Sequence, residues 1–309
     1  MKALLSLALA VGIGMMLTSG IHAQDASGPK GKIAFTRLDG DDGKLFVISA
    51  DGKDLKPIVT TSKNNLYPVW SPDGKQIAYT GFESLQTPPD VFVINADGSN
   101  EKRLSDGTGF SVMPCWSPDA KQILFTTRAG TSNGGTLLRL VNLDGSTAQD
   151  YKVEGRGFFS FWSPDGKRLG YTKIDVGGAT PSGTVHLMNA DGTGVEQFAN
   201  SAGLNIAGPG AWSPDGKSLL TTRLDPSAMT AGLWLTDVNT KSENQLASFG
   251  IVMREPIMPT AVWSPDGKWI ACAMFEIGKG RIHLVSRDGQ TKKALTPDAD
   301  FCFAPTWTK

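Results

Sequence analysis

Histidine and cysteine are scarce in this chain: 309 residues hold three of each. His22 sits in the amino-terminal leader, which leaves His186 and His283. Two widely separated imidazoles exclude the multi-histidine metal centres of most metal-dependent enzymes. Both precede an Asp-Gly pair by five residues, as Phe46 and Phe92 do, so they are expected at one recurring packing position. Cys115, Cys272 and Cys302 make an odd count, which does not suit a disulfide framework. Each lies in an apolar run and is expected to be a buried free thiol. A Cys272–Cys302 bridge is the pairing to consider, because those segments are expected to be neighbours. No cation or histidine flanks any of the three to make it reactive.

An excess of charge is also missing. Lys plus Arg and Asp plus Glu stand at 30 each, so no global field draws the chain to nucleic acid or an anionic membrane. Long apolar runs are absent apart from Ala3–Leu17. Lys2 precedes that run and Ile21-His22-Ala23 follows it, the pattern of a cleavable export leader over residues 1–23. It is too short to span a bilayer comfortably, and no later segment serves as a transmembrane anchor. No G-x-S-x-G elbow, Cys–His pair or phosphate loop occurs. The expectation is therefore an exported protein, periplasmic or secreted, with no enzyme activity, no cofactor and no metal.

What the chain has in abundance is a repeat. The hexapeptide WSPDGK occurs at Trp70–Lys75, Trp162–Lys167, Trp212–Lys217 and Trp263–Lys268, with WSPDAK at Trp116–Lys121 and a truncated copy at Trp307-Thr308-Lys309. The tryptophans are spaced 46, 46, 50, 51 and 44 residues apart. Ser, Pro, Asp and Gly in this order specify a tight turn, with the fourth position left-handed. Ala120 holds that position in one copy and is expected to carry about 1 kcal/mol of strain. Each Trp is expected to add about 2–3 kcal/mol of burial.

After each turn come an apolar strand such as Ile77–Thr80, a loop of variable length, a second strand such as Val91–Ile94, an Asp-Gly turn and a short polar strand. With the strand leading into Trp, that makes four short antiparallel strands about every 45 residues, the signature of a β-propeller blade. Gly31–Thr36 matches the segment after the hexapeptide, and Ala304–Trp307 matches the segment before it. The fold is therefore expected to be all-β, a six-bladed β-propeller. Its blades are residues 31–60 with 301–309, then 65–105, 111–153, 157–199, 206–248 and 257–297, and the carboxy-terminal strand closes the ring and leaves no exposed edge.

The repeated WSPDGK, with I-A-Y-T or L-G-Y-T after it and V-I-N-A-D-G before the last strand, resembles the propeller of the TolB family across residues 31–309. The resemblance implies a periplasmic place in the Tol–Pal envelope system and an envelope protein partner of the peptidoglycan-associated lipoprotein kind. That family carries an α/β domain ahead of its propeller; here a short linker, 24–30, is expected between leader and first strand. Related propellers occur in pectin-degrading lyases, so an anionic glycan is the alternative ligand, bound or cleaved by acids and bases around the central opening.

Function in such a scaffold usually resides in the variable loops. They share one face with a partial ring of cations: Arg37, Lys173 and Arg223 just after the second strand, Arg128 displaced by one residue, and Arg156 and Arg254 with Glu255 from loops between blades. These residues are either solvated strand ends or the patch that meets the partner. Asp39, Asp41, Asp42, Asp175, Asp225 and Glu276 interrupt the ring, and Phe110, Phe158, Phe159, Met253 and Met258 could supply contact surface or core. The acidic run Leu38–Gly43 has the density of carboxylates that suits calcium but lacks the closing Glu of an EF-hand.

Overall fold

The computed structural model describes residues 28–84, 86–107, 109–128, 135–175, 182–198, 204–208, 210–225, 230–250, 260–276, 279–297 and 301–309. The expected leader, residues 1–23, lies outside them, as do Arg254, Glu255, Met253 and Met258. Among the described residues there are strands and turns and no helix.

The strands group in fours, each pairing antiparallel with the next. Asn64–Trp70, Gln76–Phe82, Asp90–Asn95 and Lys102–Arg103 form one sheet, and Ser111–Trp116, Gln122–Arg128, Thr136–Asn142 and Thr147–Lys152 another. The remaining sheets each join two such sets through a single parallel pairing, Gly183 with Leu204 in one and Gly280 with Phe301 in the other. In the latter the set breaks sequence order. Phe301–Thr308 lies beside Lys32–Asp39, with Trp307 opposite Ile33 and Phe303 opposite Thr36. The architecture is all-β and propeller-like.

Each set's second strand is buried on both faces, because a sheet flanks it on either side. Ile33, Ala34, Phe35 and Thr36 are 0–1% exposed. The threonine that follows the aromatic in this strand tethers one set to the next. Thr36 Oγ1 donates to the Asn65 carbonyl, Thr126 Oγ1 to that of Gly157 and Thr172 Oγ1 to that of Ala207, while Thr80 Oγ1 accepts from the Met113 amide. Indole nitrogens add to the seam: Trp116 Nε1 donates to the Val69 carbonyl at 3.0 Å and Trp263 Nε1 to that of Ala211 at 3.1 Å.

The hexapeptide works as a self-contained knot. In the copy at Ser71, the hydroxyl donates to Asp73 Oδ1 at 2.6 Å and accepts from the Gln76 amide at 2.9 Å, and the Gly74 amide donates to the Ser71 carbonyl at 2.9 Å. Ser117, Ser163, Ser213 and Ser264 repeat the hydroxyl-to-Asp bond. The fourth position is left-handed in every copy: φ is 70° at Gly74, 69° at Gly166 and Gly216, 68° at Gly267 and 59° at Ala120. A Cβ costs energy in that region. Ala120→Gly is therefore expected to stabilise the protein by about 1 kcal/mol, measured as a higher urea midpoint; an unchanged or lower midpoint contradicts it.

These turns also set the acid response. Asp73, Asp119, Asp165 and Asp215 are held below the ordinary Asp value, first by the serine hydroxyl. Asp97, Asp144 and Asp191 in the Asp-Gly turns are lowered likewise by Ser99, Ser146 and Thr193. Since the folded pKa lies below the unfolded one, the unfolded chain takes up protons first as pH falls. The stabilisation is complete above about pH 4 and is lost below it. A denaturation series should show stability falling as pH drops below about 4; a flat profile there would refute the assignment.

Packing across each set's first two strands follows a size rule. Gly170 faces Phe161, Leu124 faces Cys115, Ala78 faces Val69 and Ala271 faces Val262. Leu220 donates its amide to Ala211 at 2.8 Å. In these five sets a larger residue on one strand meets a smaller one on the other, which keeps the pair closely packed.

Candidate partner- and ligand-binding face

In four sets the residue three before the tryptophan is left-handed without being glycine: Tyr67, Met113, Phe159 and Ala304, with φ between 51° and 57°. A pairing irregularity accompanies each, as between Leu66 and Val69 or Val112 and Cys115. The bulge turns these side chains toward the centre. Tyr67 meets Phe159 and Phe303 edge-on at 5.7 and 6.0 Å. Residues of five sets, among them Pro68, Met113, Phe159, Thr260 and Pro305, surround one residual cavity of about 20 Å³. The centre is packed with apolar side chains. Among the described residues, no acid or base lines this cavity.

The structure separates the expected cations. Arg37, Lys173 and Arg223 occupy matched positions, opposite Lys44, Thr184 and Gly232. Arg37 lies flat on Phe46, guanidinium carbon 3.6 Å from the ring centre. Lys173 pairs with Glu154 at 3.1 Å. Arg223 is 12% exposed, forms a two-pronged bond with Glu243 and lies 4.4 Å over Trp234. Arg128 sits one residue further along its strand, opposite Thr136. Successive strand residues point to opposite faces, so that displacement directs Arg128 to the other side of its sheet. It is exposed, stands 6.0 Å from the Phe110 ring, and has no ion-paired carboxylate among the described residues. Arg156 is exposed at the start of the strand Arg156–Trp162.

Beside Arg128 opens a cavity of about 440 Å³, mainly apolar, lined by Phe82, Pro88, Pro89, Phe110, Val112 and Met113. Phe110 packs edge-on against Phe158 at 6.5 Å. Arg128 and Phe110 were legible as candidates; Phe82 and the Pro88-Pro89 pair were missed, although a Pro-Pro step in a variable loop was a usable signal.

The other candidates resolve into packing. His186 stacks on Tyr171 at 5.3 Å and exchanges a hydrogen bond with Thr184 Oγ1 at 2.9 Å. Burial, then Lys173, pushes its pKa down, so it is neutral at neutral pH. Phe46 on Phe35 and Phe92 on Tyr79 repeat that stack, as expected of one packing position. The three cysteines are buried and none is in a disulfide, so the Cys272–Cys302 bridge is not formed, and burial pushes the Cys115 and Cys272 thiols up to about 12. The acidic run forms the turn between Lys32–Asp39 and Asp42–Ser49, where Lys63 pairs with Asp42 at 3.4 Å. Among the described residues no three His, Cys, Asp or Glu converge on a metal-sized site.

Comparison with known proteins agrees with this geometry. The family model described as the TolB beta propeller domain matches residues 25–180. The chain belongs to the TolB β-propeller family. The Tol-Pal system protein TolB of Nitrosomonas europaea (strain ATCC 19718 / CIP 103999 / KCTC 2705 / NBRC 14298) is 40% identical over 52 residues, 17% of this chain and 12% of that protein. Among solved structures, TolB from Acinetobacter baumannii aligns with a TM-score of 0.73 at 23% identity, over 90% of this chain and 67% of that one. An oligogalacturonate lyase in complex with manganese aligns with a TM-score of 0.54 at 12% identity, over 85% of this chain and 73% of its own. The likenesses to solved structures describe the fold, and that fold is shared by a Tol-Pal system protein and by a lyase.

Proposed function

We propose that the four-stranded sets are the six blades of a closed ring, and that this TolB-family propeller is an exported, non-catalytic module that docks a protein of the cell envelope on its loop-rich face. Residues 1–23 are its export leader, 24–30 a linker and 31–309 the propeller. The meeting of five sets around one central cavity, and the pairing of Phe301–Thr308 with Lys32–Asp39, support closure.

One observation carries the functional reading: the loop-rich face leaves Phe82, Phe110, Met113 and Phe158 only partly buried beside the exposed cations Arg128 and Arg156. Partly exposed aromatics flanked by arginine are the composition of protein contact surfaces. Arg37, Lys173 and Arg223 belong to the same proposed rim; Arg254 and Glu255, assigned to it from the sequence, lie outside the described residues. The family supports a periplasmic location and a partner of the peptidoglycan-associated lipoprotein kind. An anionic glycan is the alternative ligand for the same face.

A photo-crosslinking residue at position 128 or 156, on the loop-rich face, should capture a defined envelope protein in cells. The same residue at position 121 or 167, on the opposite turns, should capture none. Equal capture from both faces, or none from the loop-rich face, overturns the proposal.

A further inference from the structure

The cavity beside Arg128 has properties that partner docking does not require. It is a recess of about 440 Å³ with an apolar lining, open along one side. That volume lies within the range of small-molecule sites, which are mostly apolar and hold a few placed polar groups. Its floor is fixed. Tyr67 and Val112 are buried, and the Met113 amide is held by Thr80 Oγ1 at 2.9 Å. One wall, Phe110, is braced edge-on by Phe158. A braced apolar recess does not need to reorganise before accepting an aromatic or branched aliphatic group.

The polar side chains of the lining are Thr80, Gln86, Thr87 and Arg128, and Arg128 is the one cation among them. Arg37 is stacked on Phe46 at 3.6 Å and Arg223 is clamped by Glu243, so both are spent within their own sheets. Arg128 stands 6.0 Å from Phe110, the outer limit of a cation–π contact. It has no ion-paired carboxylate among the described residues, and its guanidinium borders the recess. An exposed guanidinium fork suits a carboxylate, which it binds through two parallel hydrogen bonds. Among the described residues, no acidic side chain lines the cavity to oppose an anion.

We propose that this cavity binds a small organic acid whose body is aromatic or branched aliphatic, the body against Phe82, Phe110 and Val112 and the carboxylate on Arg128. The site shares Phe82, Phe110 and Arg128 with the proposed docking face, but its test does not involve the partner. It stands or falls with purified protein and small ligands alone.

The test is calorimetric titration of the purified protein with 1-naphthaleneacetate and with its neutral carboxamide. The acid should bind at least about tenfold more tightly than the amide, the worth of a charge-assisted hydrogen bond. Arg128→Gln should abolish that preference and leave amide binding unchanged. Arg128→Lys, which keeps the charge but loses the fork, should fall between. Phe110→Ala should weaken acid and amide alike. Position 128 is exposed at a strand end, so the melting temperatures of its variants should match the parent. Equal affinity for acid and amide, an unchanged preference in Arg128→Gln, or no binding of either compound overturns the proposal. So does tighter binding of the blocked dipeptide acetyl-Phe-Asp-amide, which would make the recess a seat for a polypeptide side chain.

Discussion

Trp307→Ala should destabilise the protein by about 3–5 kcal/mol, the cost of emptying a buried aromatic site. Trp307 is 7% exposed, faces Ile33 across the strand pair and donates its indole N–H to the Lys30 carbonyl at 2.8 Å. It therefore holds both ends of the chain at once. Its neighbour Thr306 adds a second link, accepting the Trp70 amide on Oγ1 at 3.2 Å and so tying the terminal strand to the next set. Against a total stability of about 5–15 kcal/mol, the expected loss is a large fraction of the whole. Removing residues 301–309 takes away Cys302, Phe303 and Ala304 as well, each at most 3% exposed, and should leave no cooperative unfolding transition. Urea denaturation followed by tryptophan fluorescence reads both. A Trp307→Ala loss under about 1 kcal/mol would mean that the terminal strand contributes little.

Swapping the size order at one wedge should have an effect as large, and a reversible one. A Cβ on Gly170 would stand 2.2 Å from Phe161 Cζ, so any side chain there collides with the ring. Gly170→Leu alone should be severely destabilised by overpacking, and Phe161→Ala alone should lose about 3–5 kcal/mol to a cavity. The double variant recreates the Leu220–Ala211 pair that another set already uses, both residues 1% exposed. It should be more stable than the sum of the single changes by about 2–3 kcal/mol. Additive losses would show that the size rule is coincidental.

The turn chemistry was legible residue by residue, because Ser-Pro-Asp-Gly is specified by local geometry alone. Even the exception, Ala120, adopts the left-handed backbone that its position demands. The placement of the tail beside Lys32–Asp39 was legible too, since the two ends carry complementary pieces of one repeat. Two features were not. The bulge at Tyr67, Met113, Phe159 and Ala304 leaves no mark in composition, because four unrelated side chains occupy one strained position and only their packing at the centre holds them there. The split among the cations was hidden by how small its cause is. One residue of displacement in a strand reverses the face, so Arg128 left the set of Arg37, Lys173 and Arg223 on account of a feature that looks minor in a sequence. The packing position of His186 and His283 extends further than the motif suggested. Arg139 and Trp234 occupy it in other sets, opposite Phe125 and Thr221, and Arg139 is clamped there by Asp150 at 2.9 Å.

Amide hydrogen exchange across the two chain ends tests the closed ring most directly. The account predicts that the amides paired between Lys32–Asp39 and Phe301–Thr308 exchange as slowly as those of Gln76–Phe82, and that Trp307→Ala speeds both segments together. Rapid exchange of Phe301–Thr308 in the unmodified protein, with the remaining strands protected, would contradict it.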